Sequence, residues 1–456
     1  MNVQTIVDYA WLFVQVLGAL AAFLLVVACV VRWPGGGLAL SAAMPIIAWE
    51  FPQAPRLADV VGFSIYLDDV FVAILAVALI VNLVRLRVRL HSVHYALFAL
   101  LFSLTASFIA AFGMYDLGAV VVEARGYFFV VIATLWGLSV VWTDDSANLS
   151  ARRSVVLRFS LFIGTALMIA ALYHGARYGL GAADTFVFGD DGLAIQTSRI
   201  LTAGQALMLA VSGMALLSLA PNHWRRGAAV FAVACFVVVL ASQQRTAALA
   251  LAIGLIVIFL RTRARQRASA LAMLLVVGVL GVVVYVTGVL GGFATQLSQS
   301  ATSDGTYVGR VSSWRALIGA AFDKGPGVVV FGQPFGSGFG RLEGGTRWVE
   351  FAPHNWYVSV FLRGGVIASV ALVWFLIAVL RRSLALHDAT WVAGAWVAVI
   401  VFGWGYSLPW YVFPALALAL NASMVSRPPP RRSIRRFREL QLVRRVPAVT
   451  ASESGP

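Results

Sequence analysis

The sequence predicts an all-α polytopic membrane protein with twelve or thirteen transmembrane helices and one large structured loop on the outer side of the membrane. Three observations predict this fold class: the composition, a series of apolar runs, and the placement of the arginines. Of the 456 residues, 61% are hydrophobic and 12% are charged, and the mean hydropathy is +0.87. A soluble domain carries roughly a quarter charged residues, so this composition excludes a soluble globular protein.

The apolar runs are bordered by charged residues and turns. About 20 apolar residues cross the ~30 Å hydrocarbon core of a bilayer, and most of the runs approach that length. The run at 38–49 is short, which is typical of a half-helix and leaves the count at twelve or thirteen. The N-terminus lacks a basic segment and a cleavage site, so the first run is interpreted as an uncleaved span. The runs cover residues 10–31, 38–49, 70–84, 95–112, 127–142, 154–173, 200–220, 227–242, 246–260, 268–290, 355–380, 389–406 and 411–425.

Arginines recur on every second connection between these runs. Because short cytoplasmic loops collect Lys and Arg, those connections and the C-terminus are predicted to be cytoplasmic. The chain has 34 Lys and Arg against 19 Asp and Glu, a net charge of +15, and topology explains most of this excess without nucleic-acid binding. The arginines concerned are Arg85, Arg87, Arg89, Arg152, Arg153, Arg158, Arg225, Arg226, Arg261, Arg263, Arg265, Arg267, Arg381 and Arg382, and in the tail Arg427, Arg431, Arg432, Arg435, Arg436, Arg438, Arg444 and Arg445.

The domain organisation follows from the same pattern. One transmembrane domain is predicted over residues 1–426, and residues 427–456 form a basic cytoplasmic tail that is predicted to be disordered near anionic headgroups. The long outer loop at 291–354 is predicted to be structured, because aromatic residues are spread among its glycines. Residues 314–322 are predicted to form an amphipathic helix on the membrane surface, and the glycine-rich stretch 335–340 a flexible turn. A shorter outer loop is expected around Asp116 and Glu123.

A second set of basic residues lies on the predicted outer side, where topology does not require them. Arg199 and Arg245 directly adjoin the outer ends of apolar runs. Charges at that depth tend to face a cavity or a partner, and a guanidinium suits bidentate binding of phosphate oxygens. The alternative is that each arginine extends to the headgroups or forms a structural ion pair. The set comprises Arg125, Arg177, Arg199, Arg245, Arg310, Arg315, Lys324, Arg341 and Arg347.

His354 ends the long outer loop, directly before the apolar run that starts at Asn355. An imidazole titrates near neutral pH, which suits it to general base catalysis, and a capping or packing role is the alternative. The sequence contains no HExxH motif, no His and Cys cluster, and no P-loop or dinucleotide fingerprint, while Cys29 and Cys235 lie inside apolar runs. It therefore predicts neither a metal nor another cofactor.

A series of motifs follows the second half of the chain. It consists of Gly309-Arg310, Trp314, Gly332, Phe335-Gly336-Ser337-Gly338, Pro353-His354-Asn355-Trp356-Tyr357 and Gly364-Gly365. This series resembles the signature region of the O-antigen ligase and polymerase superfamily of bacterial membrane glycosyltransferases. Residues 242–246 and, less closely, 195–204 are similar to the segments that carry two family arginines. Gln243 and Gln244 stand where the family has small or hydroxyl residues.

The resemblance implies transfer of a glycan from a polyprenyl (undecaprenyl) diphosphate carrier to an acceptor hydroxyl at the outer face of the bacterial inner membrane. The transfer would be inverting and metal-independent, and the product would be that of a ligase or of a polymerase. The expected partners are a lipid-linked glycan donor, a lipid- or glycan-linked acceptor, membrane lipids, and a flippase or copolymerase. The implied catalytic residues are His354, Arg245 and Arg199, and the implied substrate-binding residues are Arg310, Asn355, Arg315 and Arg347.

The alternative function is that of a secondary transporter or flippase for an anionic solute or a lipid-linked glycan. Such a protein is typically built from related halves with Gly- or Pro-broken helices and carries ionisable groups near the membrane midplane. No internal repeat is evident, and Asp8, Asp68 and Asp69 lie only at the edges of apolar runs. The sequence therefore favours glycan transfer.

Overall fold

The fold is helical. The computed structural model describes residues 3–47, 55–60, 62–85, 90–140, 147–178, 186–188, 194–197, 199–220, 224–262, 305–343, 347–350, 352–386 and 389–425, and it is 81% helical. Among the described residues, six helices are long and apolar enough to cross a membrane. The all-α membrane class is thereby confirmed, whereas the described part contains fewer such helices than the twelve or thirteen predicted. The run at 268–290 and the tail at 427–456 lie outside the described residues.

The described part of the chain contains fourteen α-helices. They are α1 (Val3–Arg32), α2 (Pro34–Ile47), α3 (Leu67–Arg85), α4 (Ser92–Ala110), α5 (Leu117–Ser139), α6 (Ala147–Tyr178), α7 (Ala203–Leu219), α8 (Arg225–Ala241), α9 (Arg245–Arg261), α10 (Gly305–Asp323), α11 (Pro326–Phe331), α12 (Trp356–Leu384), α13 (Thr390–Gly403) and α14 (Phe413–Val425). A short 3-10 turn (Trp410–Val412) precedes α14. The six candidate spans lie in α1, α3, α4, α5, α6 and α12.

Three short antiparallel hairpins occupy connections between helices. They are formed by β1 (Arg56–Val60) with β2 (Phe63–Tyr66), β3 (Phe186–Phe188) with β4 (Ala194–Thr197), and β5 (Arg341–Glu343) with β6 (Arg347–Val349). In the last hairpin Leu342 pairs with Trp348. This hairpin, α10 and α11 all lie within residues 291–354, so the described part of the long loop is structured. The predicted helix at 314–322 is part of α10.

Helix α5 begins earlier than the apolar run at 127–142 indicated. The side chain of Asp116 caps it by accepting a hydrogen bond from the backbone N–H of Ala119 at 3.1 Å, as short acidic residues commonly do at helix N-termini. The expectation of a loop around Glu123 is therefore wrong, since Glu123 lies inside α5. Arg125 lies there too, and its Nε donates to Asp69 Oδ1 at 2.8 Å. For Arg125, the structural ion pair is the correct interpretation.

The core of the bundle depends on close contact between helices. Helix α9 packs against α13, and a Cβ added to Gly254 would lie 2.8 Å from the carbonyl oxygen of Gly394. Small residues at such a crossing let the two backbones approach. The ring of Trp396, which is fully buried, makes edge contacts with Phe375 of α12 and Phe413 of α14, each at 5.8 Å between centroids. These contacts hold the last three helices together.

Helix α12 is broken at Gly365, whose φ of 61° and ψ of −156° are not helical. A break at membrane depth exposes backbone groups that need partners. The backbone N–H of Gln333 donates to Leu362 O at 2.7 Å, and Ser103 Oγ of α4 donates to Gly364 O at 3.2 Å. A Cβ on Gly365 would collide with the carbonyl of Val330. The segment after α11 thus packs directly into the break.

Candidate functional site

Tyr406, in the turn that follows α13, is the residue around which the predicted site residues gather. Its ring lies 6.0 Å from the ring of His354 in an edge arrangement, and the guanidinium carbon of Arg310 lies 5.5 Å from its centroid. Its hydroxyl donates to Gln244 Oε1 at 3.3 Å. Phe402 stacks on it at 5.4 Å and fixes its plane. The ring therefore joins three segments that are distant in the sequence.

Gln244 connects this ring to Arg199. The same Gln244 Oε1 accepts a hydrogen bond from Arg199 Nη1 at 3.0 Å, and Gln244 Nε2 donates to Leu201 O at 3.1 Å. The side chain is buried, with 4% exposure, so both of its polar ends are satisfied inside the protein. Gln243 has a φ of 56°, which allows the tight turn between α8 and α9. Gln243 and Gln244 thus build this turn.

Arg245 is the first residue of α9, directly after Gln244, and its side chain is exposed. Helix N-termini carry free backbone N–H groups and the positive end of the helix dipole, which attract anions. A guanidinium at the same point adds a full positive charge. The start of α9 therefore presents a positive electrostatic environment on the same turn as Gln244.

His354 lies two residues before α12, with its side chain exposed at the surface. Partial desolvation lowers the pKa of its imidazole, and the positive charges of Arg310 and Arg341 lower this pKa further. All three causes act in the same direction, since each disfavours the protonated ring. At neutral pH the imidazole is accordingly in its neutral form, in which one ring nitrogen can accept a proton.

Asn355 caps α12. Its Oδ1 accepts hydrogen bonds from the backbone N–H groups of Tyr357 at 3.0 Å and Val358 at 3.1 Å, which is a usual role for Asn at this position. The residue is 1% exposed, and its Nδ2 has no hydrogen-bond partner among the described residues. This geometry fixes the direction in which α12 leaves His354.

The other residues that the sequence predicts to bind substrate lie on two elements: Arg310 and Arg315 on α10, and Arg347 on β6. Arg310 Nη1 donates to the carbonyl of Gly405 at 3.3 Å, so α10 is tied to the Tyr406 turn. Arg315 lies on the same helix with an exposed side chain. Arg347 begins β6, and its side chain lies outside the part that is described. Arg341 is buried and donates to Phe339 O at 2.9 Å.

A cleft of about 460 Å³ adjoins the Tyr406 turn, and we term it the cationic cleft. This volume falls within the roughly 300–1,000 Å³ typical of small-molecule sites. Its walls are mostly apolar, with one guanidinium among them. The residues that line it include Thr246, Arg310, Trp314, Tyr357, Trp404 and Gly405.

A buried ion pair fixes the glycine-rich stretch. The Arg363 side chain, with 0% exposure, pairs with Glu123 of α5, and its Nη2 donates to Gly338 O at 2.6 Å. The carboxylate in turn accepts from the backbone N–H of Gly336 at 2.6 Å. Arg363 also donates to the hydroxyl of Ser337. The predicted turn within 335–340 is present, and buried charged side chains bond to it.

The structure thus brings together His354, Arg310 and Arg199 through Tyr406 and Gln244, with Arg245 next along the chain. Sequence analysis missed Tyr406 because it is the last residue of an apolar run. It also missed Arg363, although a lone arginine inside an apolar run indicates a buried partner. Among the described residues, no three of the side chains His, Cys, Asp and Glu cluster as metal ligands would.

One comparison with known proteins bears on this site. A family model described as "O-Antigen ligase" matches residues 229–373. The matched region contains Arg245, Arg310, His354 and Arg363, whereas Arg199 and Tyr406 lie outside it. No curated protein matches the chain significantly.

Proposed function

We propose, on the premise that residues 229–373 form the O-antigen ligase domain of this superfamily, that the protein transfers a glycan from a polyprenyl diphosphate carrier to an acceptor hydroxyl. The domain itself supports ligase-like glycan transfer and lipid-linked glycan substrates in the membrane. The observation that carries the more detailed proposal is the grouping of His354, Arg310 and Arg199 around Tyr406 and Gln244.

The donor diphosphate would bind where the positive charges gather. Arg199 and Arg245 adjoin the turn at Gln244, where α9 begins. Arg310 of α10 donates to Gly405 in the neighbouring Tyr406 turn, which is hydrogen-bonded to Gln244. Guanidinium groups held by the protein stabilise a departing diphosphate without reorganisation. The cationic cleft continues from Arg310 along apolar side chains, which suit the hydrocarbon of a polyprenyl carrier.

His354 would act on the acceptor. Its neutral imidazole takes the proton from the acceptor hydroxyl while the hydroxyl oxygen bonds to the anomeric carbon. The bond from that carbon to the diphosphate oxygen breaks, and its electron pair leaves with the diphosphate. Attack opposite the leaving group inverts the anomeric configuration. Because arginines balance the charge, we propose that no metal takes part.

We further propose that the site faces the outer side of the bacterial inner membrane, with the C-terminus in the cytoplasm. The alternation of arginines supports this orientation. Ligase and polymerase chemistry share this mechanism and differ in the acceptor, and a flippase or copolymerase would supply or regulate the donor. A transporter or flippase for anionic solutes or lipid-linked glycans stays the alternative outcome of the test.

Glycans in a deletion strain test the function. Single repeat units on the carrier lipid indicate a polymerase, and full-length polymer on the carrier indicates a ligase. Unchanged glycans with altered solute uptake would instead favour the transporter and contradict the proposal.

Transfer by the full chain in proteoliposomes, supplied with undecaprenyl diphosphate-linked glycan and acceptor, tests the chemistry. His354→Ala is expected to lower the rate about 10²–10⁴-fold, the contribution typical of a general base. His91→Ala is the control, because the backbone N–H of His91 donates to His94. His94 lies near Leu138 and Arg382, which do not belong to the proposed site. Equal rates in the two variants would contradict the role of His354.

A further inference from the structure

A second cleft of about 440 Å³ lies beside the glycine-rich stretch, and we term it the acidic cleft. Glu123 of α5 is the charged residue in its wall. The residues that line it include Glu123, Gly126, Tyr127, Trp356, Ser359 and Ser407. Nothing in the donor site uses this space.

The two clefts are lined by residues on either side of Tyr406. Gly405, directly before Tyr406, lines the cationic cleft, whereas Ser407, directly after it, lines the acidic cleft. In the same way Tyr357 lines the first and Trp356 the second. The ring of His354, 6.0 Å from the ring of Tyr406, therefore lies near the boundary between the two clefts.

The chemistry of the acidic cleft suits a neutral sugar rather than an anion. The Glu123 carboxylate is neutralised by Arg363, and its side chain keeps 11% exposure. A carboxylate offers roughly four acceptor positions, and Gly336, Gly338 and the Arg363 guanidinium occupy three of them. One position therefore remains for a hydroxyl group that enters the cleft.

The other walls add to this pattern. Ser407 contributes a hydroxyl. The Ser359 hydroxyl donates to Asn355 O at 2.9 Å and is also hydrogen-bonded to Tyr127. Trp356 and Phe339 contribute aromatic surface, against which the C–H faces of a sugar ring can pack. A volume of this size accommodates a saccharide end, as pockets of roughly 300–1,000 Å³ accommodate small molecules.

From this geometry we infer that the acidic cleft binds the terminal sugar of the acceptor and presents its hydroxyl to His354. The inference rests on the proposed glycan transfer and adds a substrate subsite to it. Glu123 orients the sugar through hydroxyl hydrogen bonds, while the donor stays on the other side of the Tyr406 ring.

Gly126 allows a test that leaves the fold intact. It lies on α5 in the cleft wall, and a Cβ added there meets no atom within 4 Å. The Cβ of Gly126→Leu is therefore accommodated without displacing protein atoms, and we expect the rest of the leucine side chain to narrow the cleft. Gly319→Leu is the matched control, because Gly319 is also helical and exposed, also has open space at Cβ, and lies on α10 outside the lining of this cleft.

Binding is measured directly, by saturation-transfer NMR with the full-length protein in nanodiscs. The probes are the methyl glycosides of glucose, galactose, mannose and N-acetylglucosamine. We expect at least one glycoside to bind the wild type and the Gly319→Leu variant, and about tenfold weaker binding to Gly126→Leu. No binding by the wild type, or equal binding by all three proteins, would overturn the subsite.

Kinetics separate this proposal from the function on which it rests. In the transfer assay, Gly126→Leu should raise the KM for the acceptor and leave the KM for the donor unchanged. A raised donor KM would assign the cleft to the donor and overturn the inference. Loss of all transfer by the wild type would contradict the proposed function, whereas the binding result decides the subsite independently.

Discussion

The hydroxyl of Tyr406 donates a hydrogen bond to Gln244 Oε1 at 3.3 Å, and that oxygen also accepts from Arg199 at 3.0 Å. Tyr406 and Gln244 are 162 positions apart in the sequence. One amide oxygen thus couples the turn after α13 to the segment before α7, through the turn between α8 and α9. Because Tyr406 also contacts His354 and Arg310, its hydroxyl and its ring have separable roles.

Tyr406→Phe removes the hydroxyl and keeps the ring. A lost hydrogen bond of this kind costs about 1–1.5 kcal/mol, so kcat/KM for glycan transfer should fall about tenfold. Tyr406→Ala also removes the contacts with His354 and Arg310, so its kcat/KM should be lower still. Tyr173→Phe, which removes the acceptor of an exposed bond from Arg177, serves as the control. Equal activity of Tyr406→Phe and Tyr406→Ala would show that the ring is not needed.

The pH dependence of transfer should report His354. A base works in its neutral form, and the pKa of His354 is held below its ordinary value. The rate should therefore be constant near neutral pH and fall only as the pH drops through that lowered pKa. In Arg310→Gln one positive charge is lost, so the pKa rises and the acid limb moves to higher pH.

The control for this pH profile is Arg315→Gln, which removes an equal charge from the same helix. Arg315 is not among the groups that shift the pKa of His354. The acid limb of the Arg315→Gln profile should therefore coincide with that of the wild type. An acid limb that is the same in Arg310→Gln and in the wild type would rule out His354 as the titrating base.

The arginines at the proposed donor site should differ from the other arginines that are predicted to face outward. Arg245→Ala and Arg199→Ala should each lower transfer about 10²–10³-fold, as removal of one group that stabilises transition-state charge does. Arg245→Lys keeps the charge and loses the planar fork, so its rate should lie between those of Arg245→Ala and the wild type. Arg177→Ala, at the end of α6, should leave the rate unchanged. Transfer rates are compared at equal protein abundance in the membrane.

The buried pair of Glu123 and Arg363 should behave as a unit. Arg363→Met leaves a carboxylate in the interior without its partner, which costs about 3–5 kcal/mol of stability. Combining it with Glu123→Gln should restore most of the loss, as thermal unfolding in detergent would reveal. Arg125→Met breaks the ion pair of Arg125 with Asp69, whose side chains are 13% and 22% exposed. This substitution should therefore cost less stability. Simple additivity of the two substitutions would contradict the coupling.

Chelation tests the proposal that arginines supply the charge in place of a metal. Transfer by the reconstituted protein should continue undiminished after treatment with EDTA. Loss of transfer that Mg²⁺ or Mn²⁺ restores would contradict this proposal and require a cation in the donor site.

Sequence reasoning identified the residues whose chemistry stands out in their surroundings. His354 and the arginines at helix ends were recognised because charge and imidazole are rare next to apolar runs, and the structure gathers His354, Arg310 and Arg199. The helical class followed from composition. Both rest on local signals, which a single sequence contains.

The parts that were missed depend on contacts across the chain. Tyr406 looked like the end of an apolar run, and only its neighbours from three other segments give it a role. Glu123 was placed in a loop because a carboxylate interrupts hydropathy, yet Arg363 neutralises it inside the helical bundle. An ion pair of this kind offsets the cost of burying a charge, and hydropathy alone counts that cost without its partner.

The break in α12 has a consequence for biogenesis. Ser103 and Ser107 of α4 bond to the carbonyls of Gly364 and Gln333, 261 and 226 residues later in the chain. These two hydrogen bonds therefore form only after the second half of the chain has been translated and inserted. A truncated chain that stops before α12 also lacks Tyr406, so the candidate site is complete only once the last helices have joined the bundle.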